Sequence, residues 1–201
     1  MFAKRLLDLS LCCLALPIAL PLVAICALTV RLSSPGPIFF RQKRIGMNHR
    51  PFEMLKFRSM YVNAPDLRNS DGSTFNAAQD ARVTPAGRLL RKTSLDETPQ
   101  LINVLRGEMS FVGPRPDLPD ALQHYRANDH LRLSVPPGIT GLPQVRGRNT
   151  LPWEVRRRMD VEYAETRSLW LDIRIILMTF PAVLLSRGIY IAGSTRHEET
   201  V

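Results

Sequence analysis

Cysteine is scarce in this 201-residue chain, and none falls in its polar part: all three, Cys12, Cys13 and Cys26, lie in the first apolar stretch. That excludes a disulfide framework or a thiolate zinc site from the rest of the chain, for which a reducing, cytoplasmic setting is expected. Histidine is equally thin. His49, His124, His130 and His197 stand apart without the spacing of ligand pairs, so each reads as a surface or hydrogen-bonded histidine. No P-loop is present: the glycines of "VPPGITGLPQVRGRN", Val135 to Asn149, are not followed by the lysine and hydroxyl of that motif. There is no internal repeat and no low-complexity tract. Acidic residues are outnumbered, 18 against 27 Lys and Arg, which leaves a formal net charge of +9. The partners this implies are anionic: nucleic acid, acidic lipid headgroups or phosphorylated small molecules.

Apolar sequence, by contrast, is concentrated at the start. Leu9 to Val30 is a run of 22 residues interrupted only by Ser10 and Thr29, about 33 Å if helical and long enough to cross a bilayer core. Pro17 and Pro21 sit inside it, where each removes a backbone donor and favours a bend. Lys4 and Arg5 precede the run and Arg31, Arg41, Lys43 and Arg44 follow it. Basic flanks belong in the cytoplasm, and a straight span cannot place both there. A re-entrant helix that breaks at Pro17 and Pro21 and returns to the same face is therefore expected over residues 1–34, ahead of a simple span or a cleaved signal peptide.

The remainder reads as a cytoplasmic domain over residues 35–187 with a tail at 188–201. A short strand from Ile38 to Gln42, a Gly46-Met47-Asn48 turn and a second strand from Phe52 to Phe57 make a hairpin. The polar stretch from Asn63 to Pro85 reads as an exposed, solvated loop whose acids lack calcium-loop spacing. A short helix from Pro85 to Lys92 follows. Arg156 to Arg158 reads as a solvated helix face, with headgroup contact as the alternative. Leu169 to Leu185 is apolar but interrupted by Asp172, Arg174 and Pro181, which suits a helix on the interface or on the domain, with Trp170 near the headgroups.

The stretch "SLDETPQLINVLRGEMSFVGPRP", Ser94 to Pro116, carries the chemistry. Leu101, Ile102, Val104 and Leu105 give an apolar helical face that Gly107 ends. Its start is open: Ser94 and Glu97 have capping-box spacing, whereas Thr98 as N-cap puts Pro99 at the tolerated first position. Either way Asp96 and Glu97 lie at or just before a helix N-terminus. Arg91 upstream and Arg115, on the Gly113-Pro114 turn downstream, bracket the carboxylates with guanidiniums suited to phosphate. Carboxylates among such arginines can hold magnesium or attack phosphorus.

The ordered motifs "KRLLDL", "PGPIFFRQKRIG", "LKFRSM", "RKTSLDETPQLINVLRGEMSFVGPRP" and "PGITGLPQVRGRN" resemble the bacterial sugar transferase family, the small monotopic phosphoglycosyl transferases, from Lys4 to about Arg187. The resemblance implies an α/β, mostly α fold: a re-entrant membrane helix, a small catalytic core with a β-hairpin, and amphipathic interfacial helices. It implies transfer of a sugar-1-phosphate from a nucleotide diphosphate sugar, usually a UDP-sugar, to a polyprenyl phosphate such as undecaprenyl phosphate. Such a reaction opens glycoconjugate assembly at the bacterial inner membrane, with the site facing the cytoplasm. The resemblance also implies magnesium as the cofactor, and membrane lipids rather than nucleic acid as the surroundings. Asp96 matches the nucleophile and Glu97 its partner in metal and acid-base work, both as metal ligands. Lys56, Arg91 and Arg115 match positions near the phosphates; Arg146, Arg148 and Asn149 match the loop that helps hold donor. Leu142-Pro143 departs from the Trp-Ala of many relatives, and Pro143 lacks a backbone donor there. Two rival readings remain: a membrane-tethered nucleic-acid binder, which needs no divalent metal, and an enzyme that moves the sugar alone and releases a nucleoside diphosphate.

Overall fold

The computed structural model describes residues 2–69, 75, 77 and 79–185, so the 188–201 tail lies outside the described residues. Helix α1, Phe2–Ser33, continues through Pro17 and Pro21. Its buried residues fall in two groups, Asp8 and Cys12 toward the start and Cys26 and Val30 toward the end. Near the start, Lys4 pairs with Asp172 at 2.8 Å, Arg5 donates to the Leu105 carbonyl at 2.7 Å, and Asp8 accepts from Ser110 Oγ and the Phe111 N–H at 2.9 and 3.0 Å. Near the end, Cys26 and Val30 pack on Phe57 and Leu90. Between them Leu14, Ile18 and Leu20 are exposed.

Strands β1, Phe39–Ile45, and β2, Pro51–Phe57, pair antiparallel in the register Phe40 to Lys56, Gln42 to Met54 and Arg44 to Phe52. Directly opposed residues share a face, so Gln42, Arg44 and Lys56 line one side of the hairpin. The first strand runs three residues past its expected end, because Arg44 and the Ile45 N–H are held there by the Pro116 and Asp117 carbonyls. Helix α2, Pro85–Thr93, has Pro85 in its first turn and Thr84 as cap, whose side chain accepts from the Gly87 N–H at 2.9 Å. A 3-10 turn, Leu95–Glu97, leads into α3, Gln100–Arg106, which Gly107 ends at φ +80.

Strands β3, Ser110–Val112, and β4, Gly138–Thr140, pair in parallel. At their ends Gly113 donates to the Thr140 carbonyl and Gly138 to the Pro114 carbonyl, both at 2.9 Å. A Cβ at Gly113 would lie 2.3 Å from the Pro136 oxygen, so only glycine allows the two segments to touch and set the direction of Arg115. The chain closes with α4, Leu142–Arg146, α5, Trp153–Thr166, and α6, Leu169–Leu184. Pro143 falls in the first turn of α4, where no intrahelical donor is required, so its missing N–H costs the helix nothing. Val112, Val135, Leu142, Tyr163 and Ile175 form the core beneath β3 and β4.

The fold is mostly helical with small sheets, including the expected hairpin. Two local expectations are corrected. Arg157 is no solvated residue: it is buried, pairs with Asp129 at 2.7 Å and stacks over the Trp153 ring at 4.4 Å. Asp80, expected in a solvated loop, is also buried and paired with Arg82 at 2.6 Å. Both charges found partners that sequence periodicity does not reveal.

Candidate active site

Neither expected capping scheme starts α3. Ser94 adopts a left-handed conformation at φ 59, the 3-10 turn carries the acid pair, and the Thr98 hydroxyl bonds back to the Leu95 carbonyl at 2.9 Å. Pro99 follows as the cap without a side-chain bond, since a tight turn has already redirected the chain.

The two carboxylates differ in their surroundings. Glu97 accepts from Lys56 Nζ at 2.8 Å and from both terminal nitrogens of Arg115, at 2.5 Å on Oε1 and 3.4 Å on Oε2. Asp96 is 9% exposed and makes no hydrogen bond to the described residues. The charges follow this contrast. Burial acts to raise Glu97, but Arg115 and Lys56 outweigh it and hold that carboxyl well below the usual range. Burial and the adjacent Glu97 charge lift Asp96 to about 6, against the pull of Lys56, Arg91 and Arg115. Burial, and Arg115 beside it, lower the Lys56 ammonium, with Glu97 opposing.

Arg115 is placed by its backbone. Its carbonyl accepts from Arg132 at 2.7 Å, the Pro116 carbonyl from Arg44 at 3.0 Å, and the Asp117 carbonyl from the Ile45 N–H at 3.0 Å. Arg132 is itself buried between Asp117 and Asp160 and touches the Tyr125 hydroxyl. On α2, Arg91 donates from Nε to Ser59 Oγ at 2.9 Å, and its charge reaches Asp96.

The expected donor loop is split. Arg148 lies within electrostatic reach of Glu97 and Arg115 and, among the described residues, has no acidic partner at ion-pair distance. Arg146 instead turns to Glu162 on α5, at 3.5 Å and half exposed, and Asn149 accepts from Arg156 at 3.4 Å. Arg148 sits at φ 53, a left-handed conformation that costs a non-glycine residue about 1–2 kcal/mol. Strain at a cation that has no acidic partner among the described residues is not needed by the fold, and it points to service in the site. Arg148→Gly should therefore keep or raise the melting temperature while lowering donor turnover by about tenfold or more, the worth of one charge-assisted hydrogen bond. Thermal melts beside steady-state rates check this, and a variant as active as the parent would remove Arg148 from the site.

Among the described residues no group of three or more His, Cys, Asp or Glu converges. Magnesium needs only one or two protein carboxylates when substrate phosphates complete its shell. Asp96, with no competing hydrogen bond, fits that role. Glu97 does not fit as the expected second ligand in this arrangement, because both of its oxygens are engaged by cations. Residues missed in the sequence are mainly those that hold the site: Arg44, Arg132, Asp8, and Asn103, which is wholly buried and pins β2 through the Leu55 N–H and Glu53 carbonyl at 3.0 and 2.7 Å. Nothing in local periodicity marks them.

Comparison with known proteins agrees with this architecture. The family model described as bacterial sugar transferase matches residues 1–186. The chain is 42% identical over 194 residues to the uncharacterized sugar transferase EpsL of Bacillus subtilis, covering 94% of this chain and 91% of that protein. It is 40% identical over 199 residues to the exopolysaccharide production protein ExoY of Rhizobium meliloti, covering 94% and 88%. It is 43% identical over 195 residues to the UDP-glucose:undecaprenyl-phosphate glucose-1-phosphate transferase of Escherichia coli, covering 93% of this chain but 41% of that longer protein. With a family match across nearly all of the chain and relatives of similar length at 40% identity or more, the chain belongs to the bacterial sugar transferase family.

Proposed function

We propose that this enzyme transfers a sugar-1-phosphate from a UDP-sugar to undecaprenyl phosphate, through a covalent phospho-sugar on Asp96. One observation carries the reading: a buried carboxylate with no hydrogen bond among the described residues sits beside a second carboxylate that holds a lysine and an arginine in place. Asp96, engaged by no hydrogen bond among the described residues, is placed to attack, and the Lys56 and Arg115 cations are set to receive phosphate oxygens. Attack by an Asp96 oxygen on the sugar-bearing phosphorus forms a new O–P bond and breaks the bond to the other phosphate, so uridine monophosphate leaves with the electron pair. A phosphate oxygen of the lipid then attacks the same phosphorus and releases Asp96. Magnesium held by Asp96 and the donor would offset phosphate charge. Glu97, kept ionised by its two cations, is a poor proton acceptor; its part is to orient Lys56 and Arg115.

The membrane reading rests on α1 and α6. Both ends of α1 contact the same body, and its exposed apolar middle lies between them, which suits a helix that dips into one leaflet with both ends in the cytoplasm. On α6, Trp170, Leu177 and Phe180 are exposed while Asp172 and Ile175 face inward, as for a helix resting on an interface. Incubating the full chain in nanodiscs with undecaprenyl phosphate and a panel of UDP-sugars tests the function. The expected result is magnesium-dependent release of uridine monophosphate that stops on chelation. Release of uridine diphosphate instead would mean transfer of the sugar alone.

A further inference from the structure

Arg44 is a cation that the mechanism above does not use, on the same face of the hairpin as Lys56. Three of its N–H groups go to neutral acceptors. Nε and one terminal nitrogen donate to Gln42 Oε1 at 3.1 and 2.6 Å, and the other terminal nitrogen donates to the Pro116 carbonyl at 3.0 Å. A guanidinium carries five N–H groups, so two are left over. The acids within its electrostatic reach are committed elsewhere: Asp117 to Arg132, and Glu97 to Lys56 and Arg115. Burial, then the Arg115 charge, lower Arg44 to about 10, and it stays cationic at neutral pH.

The residue that orients Arg44 is informative. A glutamate at position 42 would accept the same hydrogen bonds and cancel the charge in a bidentate ion pair. Gln42 fixes the guanidinium and leaves its charge unspent. The result is a group of four cations, Arg44, Lys56, Arg115 and Arg148, around one strongly ionised acid, Glu97. Arg44 shares the hairpin face of Lys56 and is bonded to the Pro116 carbonyl, one residue past Arg115, which places its guanidinium beside the Arg115 loop.

We infer that Arg44, oriented by Gln42, is a donor-binding residue that receives the second phosphate of a nucleoside diphosphate, the one that departs when Asp96 attacks the first. This rests on the proposed phosphoglycosyl transfer and deepens it. The bond broken lies between the two phosphorus centres, and negative charge gathers on the departing phosphate. A guanidinium with no acidic partner and two spare N–H groups among the described residues, bonded to the residue after Arg115 on the hairpin face of Lys56, is matched to that charge.

The test separates charge from mere support. Inorganic pyrophosphate is titrated calorimetrically into the full chain in nanodiscs with magnesium, and also used as an inhibitor of UDP-sugar turnover. Gln42→Glu keeps both hydrogen bonds to Arg44 but neutralises it; pyrophosphate binding should weaken about tenfold or more, with an unchanged or higher melting temperature. Arg44→Met should weaken binding at least as much, and Arg44→Lys should restore part of it. Unaltered pyrophosphate affinity in Gln42→Glu would overturn the inference. So would a loss of kcat in both Arg44 variants with no change in pyrophosphate affinity, which would leave Arg44 as a clamp on Pro116 only. If the parent releases no nucleotide from any UDP-sugar yet binds pyrophosphate in an Arg44-dependent way, the function fails and the anion site stands.

Discussion

Asp96→Asn should abolish turnover, by roughly 10⁴-fold or more, without disturbing the fold. The amide has the shape of the carboxylate but far less nucleophilicity. Asp96 makes no hydrogen bond to the described residues, so its replacement breaks none of the bonds that hold the site. Stability should even improve. A carboxyl raised to about 6 by burial and Glu97 binds a proton more tightly in the folded chain than in the unfolded one, where the value is about 3.9. The folded state then holds more protons between those values, so metal-free stability falls as pH rises through that window and stays lower at neutral pH. Removing the charge relieves that cost, and the Asn variant should melt at the same temperature as the parent or higher at pH 7.5 with chelator present. A variant that retains near-normal turnover would exclude Asp96 as nucleophile.

Glu97→Gln should lower kcat/KM by about 10²-fold or more, and the loss should appear in the first half-reaction as well as in overall turnover. Its carboxylate joins Lys56 on β2 to Arg115 on the loop after β3, two elements with no other ionic tie at this point among the described residues. With a neutral amide, Lys56 and Arg115 face each other and Arg148 without compensation. The side-chain NH₂ also meets one donor with another. Breaking an ion pair on one side leaves the other charges uncompensated, an effect larger than the worth of the pair itself. Because part of Arg115 is open to solvent, the expected loss is smaller than for a fully buried pair. The assay is the rate of protein labelling by donor without lipid. Normal labelling with slow turnover would assign Glu97 to activation of the acceptor, contrary to the orienting role drawn from its geometry.

The parts of the fold that were legible in the sequence are those written in local chemistry. The alternation around Phe52 to Phe57 and the Gly46 turn announced the hairpin, Pro85 and Gly107 marked helix ends, and adjacent acids between arginines marked the site. What escaped notice depends on residues far apart in the chain. His49 and His130 read as isolated, yet their ring nitrogens meet at 3.0 Å across 81 positions. Arg156 to Arg158 read as one charged face, but Asp129 and Trp153 draw Arg157 inward and leave Arg158 exposed. Arg146 and Arg148 look equivalent in the motif; the left-handed turn at Arg148 sends one toward the dyad and the other to Glu162. Arg44 looked like a membrane flank and is instead tied to the Arg115 loop. In each case burial chose a partner that spacing alone cannot name.

The central claim is that Asp96 carries the phospho-sugar, and intact-protein mass spectrometry after exposure to UDP-sugar and magnesium without lipid tests it most directly. The account predicts a mass gain equal to one sugar-phosphate, mapped to the peptide containing Asp96, lost on adding undecaprenyl phosphate and absent in Asp96→Asn. Rapid turnover with no such adduct in quenched samples, or an adduct that persists in Asp96→Asn, would contradict it.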